Sequence, residues 1–267
     1  MVTREEIVRG LRGLGLDKDS SIIVHASLKS FGEVEGGAQG LVKALREACG
    51  TILAPAFTWQ TIYYPEGWEK NPDCPSEPTP EEILRINAGA EAYHPGLRTT
   101  PLVGIVPEIV RQEPDSKVGW HPTHRFAAVG PDAERLVRGQ APMAPLEPIA
   151  ELRGMGGWIL LLGVGHTSST AIHLAEAEAG RRQWHHWALT RHRGVVECIT
   201  PSCSRAFGDA EPVLEEITRE TTIGQSRVRL LPLGESLERV KVLIRRKPDA
   251  LLCGECLWCR KAALATG

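Results

Sequence analysis

The sequence has no long apolar run and almost no net charge. A membrane-spanning helix needs about 20 predominantly apolar residues, and no apolar run in this chain approaches that length. Lysine and arginine number 31 against 33 acidic residues, which gives a net charge of −2. Overall charge therefore gives no support to nucleic acid or a membrane surface as a partner, and we expect the protein to bind neither.

Internal repeats, low-complexity tracts and the glycine patterns of nucleotide-binding loops are also absent from the 267 residues. Without a Walker or Rossmann glycine pattern, nucleotide hydrolysis and hydride transfer have no signature here. The cysteines number seven, which is odd, and residues 1–6 begin an amphipathic helix rather than a signal peptide. We therefore expect reduced thiols in a cytoplasmic protein.

Apolar spacing in the first third of the chain predicts a strand, a helix and a second strand. The strands are predicted at 21–25 and 51–55, and the helix between them at 38–48. A strand, helix and strand of this length form a βαβ unit, so the two strands should be parallel. Further strands are predicted at 126–129, 158–162, 195–199 and 228–231, and further helices at 3–14, 103–111, 212–219 and 237–245.

These elements predict a mixed α/β fold with a partly parallel central sheet flanked by helices. The proline-rich segment 63–80 has no periodic pattern, and long irregular segments of this kind tend to be lids or binding loops. We therefore expect irregular loop insertions to form a cleft. The chain shows no clear linker, which predicts a single domain over residues 1–267, with a cysteine-rich C-terminal tail over residues 246–267.

The segment after the predicted strand Trp158–Leu162 carries the most informative pattern. Five consecutive apolar residues are typical of a strand covered on both faces, and the glycines that follow allow a tight turn. Ser168 or Ser169 would then cap a helix on which His173 and Glu176 are three residues apart and share a face. Ligands of open α/β sheets bind at the carboxyl ends of strands, so this pair indicates an active site.

Three sequence segments, taken together and in order, indicate a protein family. They are Val24-His-Ala-Ser-Leu-Lys-Ser-Phe-Gly32 with Gly36-Gly-Ala38, His121-Pro-Thr-His-Arg-Phe-Ala-Ala-Val-Gly-Pro131, and Leu161-Leu-Gly-Val-Gly-His166 continuing to His173-Leu-Ala-Glu176. Their order and spacing resemble the antibiotic N-acetyltransferases, the aminoglycoside 3-N-acetyltransferase family. The resemblance implies an acyltransferase that uses acetyl-coenzyme A to acetylate an amine of an aminoglycoside antibiotic by direct transfer.

The resemblance also implies site residues. The family's essential histidine corresponds to His173, which would act as the general base while an amine attacks the thioester. A carboxylate on its other ring nitrogen would fix the tautomer. Glu176 is the first choice for this carboxylate. Glu108 is kept as the second choice, because a residue three positions along a helix often cannot reach that nitrogen. The cofactor-binding residues are expected to be Ser27, Leu28, Lys29, Ser30, Gly36, Gly37, His121 and Thr170.

Two positions within the motifs have open roles. Arg125 stands where the family usually has serine, and it would either pair with a phosphate of the coenzyme or point to solvent. His166 would either line the pocket or cap the following helix. Around the first motif, small residues would admit a phosphate to backbone N–H groups, and the helix beginning near Ala38 would favour a pyrophosphate.

The expected acidic residues for an aminoglycoside are missing from two loops. Aminoglycosides carry several positive charges, so their enzymes present acidic residues in the cleft. The first loop, residues 57–64, contains no carboxylate, and the next one along the chain is Glu66. The second loop, residues 198–203, contains none after Glu197. Tryptophan and tyrosine are prominent instead, at Trp59, Tyr63, Trp184 and Trp187. The acceptor is therefore expected to be a small-molecule amine, either an aminoglycoside or a less charged compound.

The cysteine spacing of the C-terminal tail is typical of a metal site. Cys253, Cys256 and Cys259 form two overlapping C-x-x-C steps, which suit a structural zinc ion if Cys74, Cys203 or a histidine supplies a fourth ligand. Free reduced thiols are the alternative. Two other functions stay open: a zinc-dependent hydrolase, for which no H-E-x-x-H ligand set is present, and a non-catalytic coenzyme-binding protein whose tail contacts a partner.

Overall fold

A seven-stranded sheet forms the centre of the protein, and the computed structural model describes residues 1–264. The strands are β1 (Ser21–Ala26), β2 (Thr51–Pro55), β3 (Lys117–Val118), β4 (Phe126–Val129), β5 (Trp158–Leu162), β6 (Trp184–Thr190), β7 (Gly194–Thr200), β8 (Arg219–Ile223) and β9 (Ser226–Pro232). The central sheet has the order β3-β4-β2-β1-β5-β9-β8, while β6 and β7 form a separate two-stranded sheet.

Helices cover both faces of the central sheet. They are α1 (Arg4–Gly13), α2 (Gly37–Ala48), α3 (Pro80–Gly89), α4 (Val106–Gln112), α5 (Ala133–Arg138), α6 (Glu147–Gly154), α7 (Ala171–Glu178), α8 (Glu211–Leu214), α9 (Leu233–Arg246) and α10 (Leu257–Leu264). Among residues 1–264, no helix is both long enough and apolar enough to cross a membrane.

The centre of the sheet is parallel and its flanks are antiparallel. Strand β1 runs parallel to β2, with Ser21 opposite Thr51, and parallel to β5, with Ile22 opposite Trp158. Strand β4 is antiparallel to β2, and β9 is antiparallel to β5. The predicted βαβ unit and the mixed, partly parallel sheet are therefore confirmed.

Alternation of side chains along β1 divides the core into two halves. Ile22 and Val24 belong to the half that holds α1, α2 and α4, whereas Ile23 belongs to the half that holds α5, α6, α7 and α9. All three side chains are almost fully buried, and burial of such a side chain contributes about 1.5–3 kcal/mol. Burial on both faces explains why the strand sequences are continuously apolar.

Two predicted helices are wrong in part because breaks divide them. The predicted helix 103–111 begins only at Val106, since Gly104 has a left-handed φ of 85° and ends a preceding 3₁₀ turn. The predicted helix 212–219 stops at Leu214, is followed by a 3₁₀ turn, and gives way to β8 at Arg219. Strand β8 pairs with β9 along the whole strand, and this tertiary pairing outweighs the helical preference of the polar segment.

Candidate active site

The carboxyl ends of β1 and β5 border a cavity of about 820 Å³. Because these strands are adjacent and parallel, the loops that follow them meet at the same edge of the sheet, as ligand sites of open α/β sheets do. Residues 26–29 supply one wall, Val164 and residues 167–170 supply a second, and the loop 201–205 after β7 supplies a third. We call this space the main cavity.

Helix α7 begins later than the sequence predicts. Residues 166–168 form a 3₁₀ turn, and the helix starts at Ala171 after Thr170, which makes no side-chain capping hydrogen bond. Neither Ser168 nor Ser169 is therefore the cap. The 3₁₀ turn carries the chain from the sheet edge to the helix, so His173 lies in the first turn of α7 and lines the main cavity.

His173 and Glu176 form a buried pair. The Nδ1 atom of His173 lies 2.8 Å from Oε2 of Glu176, and their side chains are 10% and 4% exposed. Because a carboxylate without a proton only accepts hydrogen bonds, a His173 ring that donates from Nδ1 to Glu176 would carry its lone pair on Nε2. Among the described residues, Nε2 has no hydrogen-bond partner, which leaves it free to act as a base toward the cavity.

Three neighbours hold this pair in place. Arg181 donates a hydrogen bond to Oε1 of Glu176 and another to the carbonyl oxygen of Ala250. The hydroxyl of Ser202 lies 3.4 Å from Oε2 of Glu176. The ring of Phe207 packs against the imidazole of His173 at a centroid distance of 4.7 Å. The orientation of the imidazole is therefore set by ionic, polar and apolar contacts together.

Glu108, the second candidate partner, is not brought to His173. One of its oxygens accepts a hydrogen bond from the backbone N–H of Thr99, and both accept from Arg111, at 2.7 to 2.9 Å. Gln112 donates a further hydrogen bond at 2.7 Å. Burial opposes ionisation, but these hydrogen bonds outweigh it and lower the pKa of Glu108 to about 2. The carboxylate of Glu108 therefore forms a local ion pair with Arg111 of α4 and is not placed to pair with His173.

Of the eight residues expected to bind the cofactor, four line the main cavity. They are Ser27, Leu28, Lys29 and Thr170. Ser30 instead donates a hydrogen bond to the carbonyl of Ser27 at 2.7 Å and contacts the hydroxyl of Ser226 at 2.8 Å. These contacts hold the loop 27–30 against β9.

Gly36, Gly37 and His121 lie outside the cavity wall. The two glycines have φ angles of 68° and 57° and form the turn into α2, so the start of α2 does not contribute to the cavity as expected. His121 is fully buried, and its Nε2 lies 2.9 Å from the carbonyl of Ile199. Burial lowers the pKa of His121 to about 4. Its contacts tie the second motif to β7.

Arg125 neither faces solvent nor lies at the cavity, so both alternatives for it are wrong. Its side chain is completely buried. The guanidinium donates hydrogen bonds to the carbonyl oxygens of Ala56, Pro95 and Leu97 at 2.8 to 3.0 Å. Burial lowers its pKa to about 10. Arg125 joins β4 to the irregular segment before α4, which is a structural role.

His166 packs behind the cavity wall. Its Nε2 lies 3.2 Å from Oε2 of Glu211, and the side chain is 2% exposed. Burial, together with the positive charge of Arg229, lowers the pKa of His166. The residue therefore joins the 3₁₀ turn to α8 and is absent from the lining of the main cavity.

The cavity also contains histidines that the sequence reasoning did not assign. His25 lines the main cavity, its Nε2 is buried without a partner among the described residues, and burial lowers its pKa to about 3. His124 accepts a hydrogen bond at 3.2 Å from the indole of Trp59, and burial lowers its pKa far below the usual range. His25 lies in the motif segment 24–32 and His124 in the motif segment 121–131. Their position within these segments is the sequence feature that could have indicated them.

A second cavity of about 380 Å³ opens beside the first. The two share a wall made by Trp59, His124, residues 201–203 and Arg205, and Trp258 of α10 lines the second. Of the four aromatic residues singled out, Trp59 lines both cavities, whereas Trp184 is fully buried and packs against Trp258. Among the described lining residues of both cavities there is no aspartate or glutamate.

The three tail cysteines meet a fourth cysteine beside these cavities. The Sγ atoms of Cys203, Cys253, Cys256 and Cys259 all lie within 4.8 Å of one another. We call this group the cysteine cluster. Of the fourth ligands considered from the sequence, Cys203 is the one that the fold brings to the tail.

Comparison with known proteins identifies relatives of this chain. A sequence model of the family described as aminoglycoside 3-N-acetyltransferase matches residues 23–245. The chain is 31% identical over 245 residues to aminoglycoside N(3)-acetyltransferase IV of a Salmonella species, which covers 85% of this chain and 82% of that enzyme. It is 35% identical over 187 residues to aminoglycoside N(3)-acetyltransferase VIII of Streptomyces fradiae, covering 67% of this chain and 62% of that enzyme.

The fold is similar to that of solved enzymes. The crystal structure of aminoglycoside acetyltransferase AAC(3)-IVa, as apoenzyme, has a TM-score of 0.80 and 26% identity over 99% of this chain and 98% of that chain. A histidine-to-alanine mutant of that enzyme, in complex with a gentamicin, has a TM-score of 0.80 and 25% identity over 98% and 97%. The chain therefore belongs to the aminoglycoside 3-N-acetyltransferase family and is an acyltransferase.

Proposed function

We propose that this enzyme transfers the acetyl group of acetyl-coenzyme A to an amino group of an aminoglycoside, with His173 as the general base. The observation that carries the proposal is the pairing of Nδ1 of His173 with Glu176 at 2.8 Å on the wall of the main cavity. Membership of the family and the gentamicin complex of a relative support the choice of acceptor.

The main cavity suits the donor electrostatically. Coenzyme A carries several phosphate charges, and the cavity presents Lys29 and Arg205 with no carboxylate among its described lining residues. Arg205 lies 3.9 Å from the exposed Glu255, which is outside the lining. The side chains of Lys29 and Arg205 are largely exposed, so they would meet phosphates at the mouth of the cavity. Ser27 and Leu28 would lie against the less charged part of the donor, nearer to His173. When bound, acetyl-coenzyme A supplies an acetyl group as a reactive thioester.

His173 would accept the proton of the attacking amine at Nε2. As the amine nitrogen bonds to the thioester carbonyl carbon, the carbon–sulfur bond breaks, and His173 returns the proton to the departing sulfur. Glu176 would keep the proton on Nδ1 and stabilise the imidazolium that forms. Arg181 holds Glu176 so that its carboxylate does not turn away from the ring.

A second candidate is the same reaction on a less charged amine. The walls of both cavities contain aromatic residues and no described carboxylate, whereas a multiply charged acceptor is favoured by negative charge nearby. The second cavity, bordered by Trp59 and Trp258, would accept a flat or apolar amine. This candidate keeps the donor, the base and the mechanism, and changes only the acceptor.

The deciding experiment is mass spectrometry of acceptors incubated with enzyme and acetyl-coenzyme A. Gentamicin and apramycin would represent aminoglycosides, and tyramine would represent singly charged aromatic amines. A gain of one acetyl group on the aminoglycosides supports the proposal, whereas acetylation of tyramine alone supports the second candidate. Mass detection also avoids interference from the seven protein thiols.

The His173→Ala variant tests the mechanism separately. We expect its turnover to fall by about 10²- to 10⁴-fold, the usual contribution of a general base, while calorimetry shows unchanged binding of acetyl-coenzyme A. His185→Ala is the matched control, because His185 also pairs with a carboxylate, Glu197 at 2.7 Å, but lies outside both cavities. Normal turnover in His173→Ala would overturn the assignment of the base.

A further inference from the structure

The cysteine cluster joins two parts of the chain that are distant in sequence. Cys203 lies in the loop after β7, and the other three cysteines lie at the start of the tail and in α10. The sulfur atoms of Cys203 and Cys253 are 3.9 Å apart, too far for a disulfide bond, whose length is about 2.05 Å. All seven cysteines are free thiols.

Backbone N–H groups point at three of the four sulfur atoms. The N–H of Cys256 lies 3.5 Å from the sulfur of Cys253, and the N–H of Cys259 lies 3.4 Å from that of Cys256. The N–H of Arg205 lies 3.4 Å from the sulfur of Cys203. These contacts fix the positions of the three sulfur atoms within the cluster.

We propose that the cysteine cluster binds one zinc ion through four thiolates. In a tetrahedral site with zinc–sulfur bonds of about 2.3 Å, the sulfur atoms are about 3.8 Å apart, which fits the 3.9 Å between Cys203 and Cys253. Binding releases the thiol protons and involves no oxidation or reduction. Four protein ligands leave no open position on zinc, so the site is structural and lies outside the proposed chemistry.

The zinc ion would fix one wall of the acetyl-transfer site. Cys203 belongs to the loop 201–205, which forms the wall shared by the two cavities. Its neighbour Ser202 contacts Glu176 at 3.4 Å. In the tail, Trp258 stacks on His186 at a centroid distance of 5.1 Å and lines the second cavity. The ion would therefore hold the tail and the loop together as one unit.

Elemental analysis of the full-length protein, produced with zinc in the growth medium, tests the assignment. We expect one zinc per chain, and we expect a mercurial thiol reagent to release it in step with the titration of four thiols. The Cys203→Ser variant should contain less than a tenth of this zinc. Cys74→Ser is the matched control, since Cys74 is buried outside the cluster, and it should keep one zinc.

Two results would overturn the proposal. The first is wild-type protein that contains no zinc and whose melting temperature does not change when zinc is added or chelated. The second is iron in place of zinc. If Cys203→Ser does not fold, the mercurial titration of the wild-type protein still decides, because zinc release requires no variant.

Discussion

Arg181 contacts the one carboxylate oxygen of Glu176 that His173 leaves free. The guanidinium is itself held by backbone carbonyls at Pro248 and Ala250, so the first residues of the C-terminal tail support the proposed base through two side chains. The arrangement resembles a catalytic triad, because Arg181 holds the carboxylate of Glu176 and Glu176 holds the imidazole of His173.

Glu176→Gln should lower kcat by about 10²-fold or more, because an amide stabilises an imidazolium far less than a carboxylate does. The KM for acetyl-coenzyme A should change little, since Glu176 does not line the main cavity. Glu178→Gln is the control, because Glu178 lies on the same helix but pairs with Arg153 and Lys241. Steady-state kinetics that give the same kcat for Glu176→Gln as for the wild type would contradict the proposed pairing.

Lys29→Met and Arg205→Met should each raise the KM for acetyl-coenzyme A by about 3- to 10-fold, in line with the loss of one exposed phosphate contact of about 0.6–1.4 kcal/mol. The effect should shrink at high salt, because exposed charges are screened. Lys43→Met, on α2 and outside the cavity, removes the same charge without the contact. Identical donor KM values for all three variants would place the phosphates elsewhere.

Stability should depend on pH through Glu108, whose pKa is held at about 2 against an ordinary value of 4.5. A lowered carboxyl pKa contributes stability that is fully present above about pH 4.5 and is lost as the pH falls toward 2. The shift corresponds to about 3 kcal/mol. Urea unfolding should therefore show that Glu108→Gln is less stable than the wild type at pH 7, with a smaller difference at pH 3. An equal difference at both pH values would rule out this linkage.

Arg125→Lys should destabilise the protein by about 3 kcal/mol, since one ammonium group cannot reach all three carbonyl oxygens, and buried unpaired polar groups are costly. Arg98→Lys, at an exposed position nearby, should change the free energy of unfolding by less than about 0.5 kcal/mol. Urea titration of both variants measures the difference. Equal stabilities would mean that the three carbonyl oxygens find other partners.

Sequence patterns predicted the strands best where both faces are buried. The bounds of β2, β4 and β5 agree with the prediction residue by residue, because apolar runs of four or five residues bounded by turns are too short for a typical helix and suit a buried strand. The helices α3, α5, α6 and α10 were not predicted. Helix α3 has no buried residue, so its apolar periodicity is weak, whereas α5 and α6 are only 6 and 8 residues long and give the pattern few turns in which to repeat.

Within the site, the local pair was predictable and the long-range contacts were not. The spacing of His173 and Glu176 is a property of one helix, so the sequence alone indicated it. Arg181 and Ser202 reach Glu176 through turns whose course depends on the whole fold. Arg125 appears in the sequence as an ordinary polar loop residue, and its burial follows from carbonyl groups supplied by two distant segments.

The separation of the two sheets has a consequence for how this protein can diversify. The proposed base and the donor loops are built on the central sheet, whereas residues 201–205 follow the β6–β7 hairpin, which forms its own sheet. Exchange of the hairpin alone between relatives would change the wall that His186 and Thr200 give to the second cavity. If the loop 201–205 were kept, Ser202 and Arg205 would stay in place beside Glu176 and the main cavity. We therefore expect such an exchange to change the acceptor side more than the donor side.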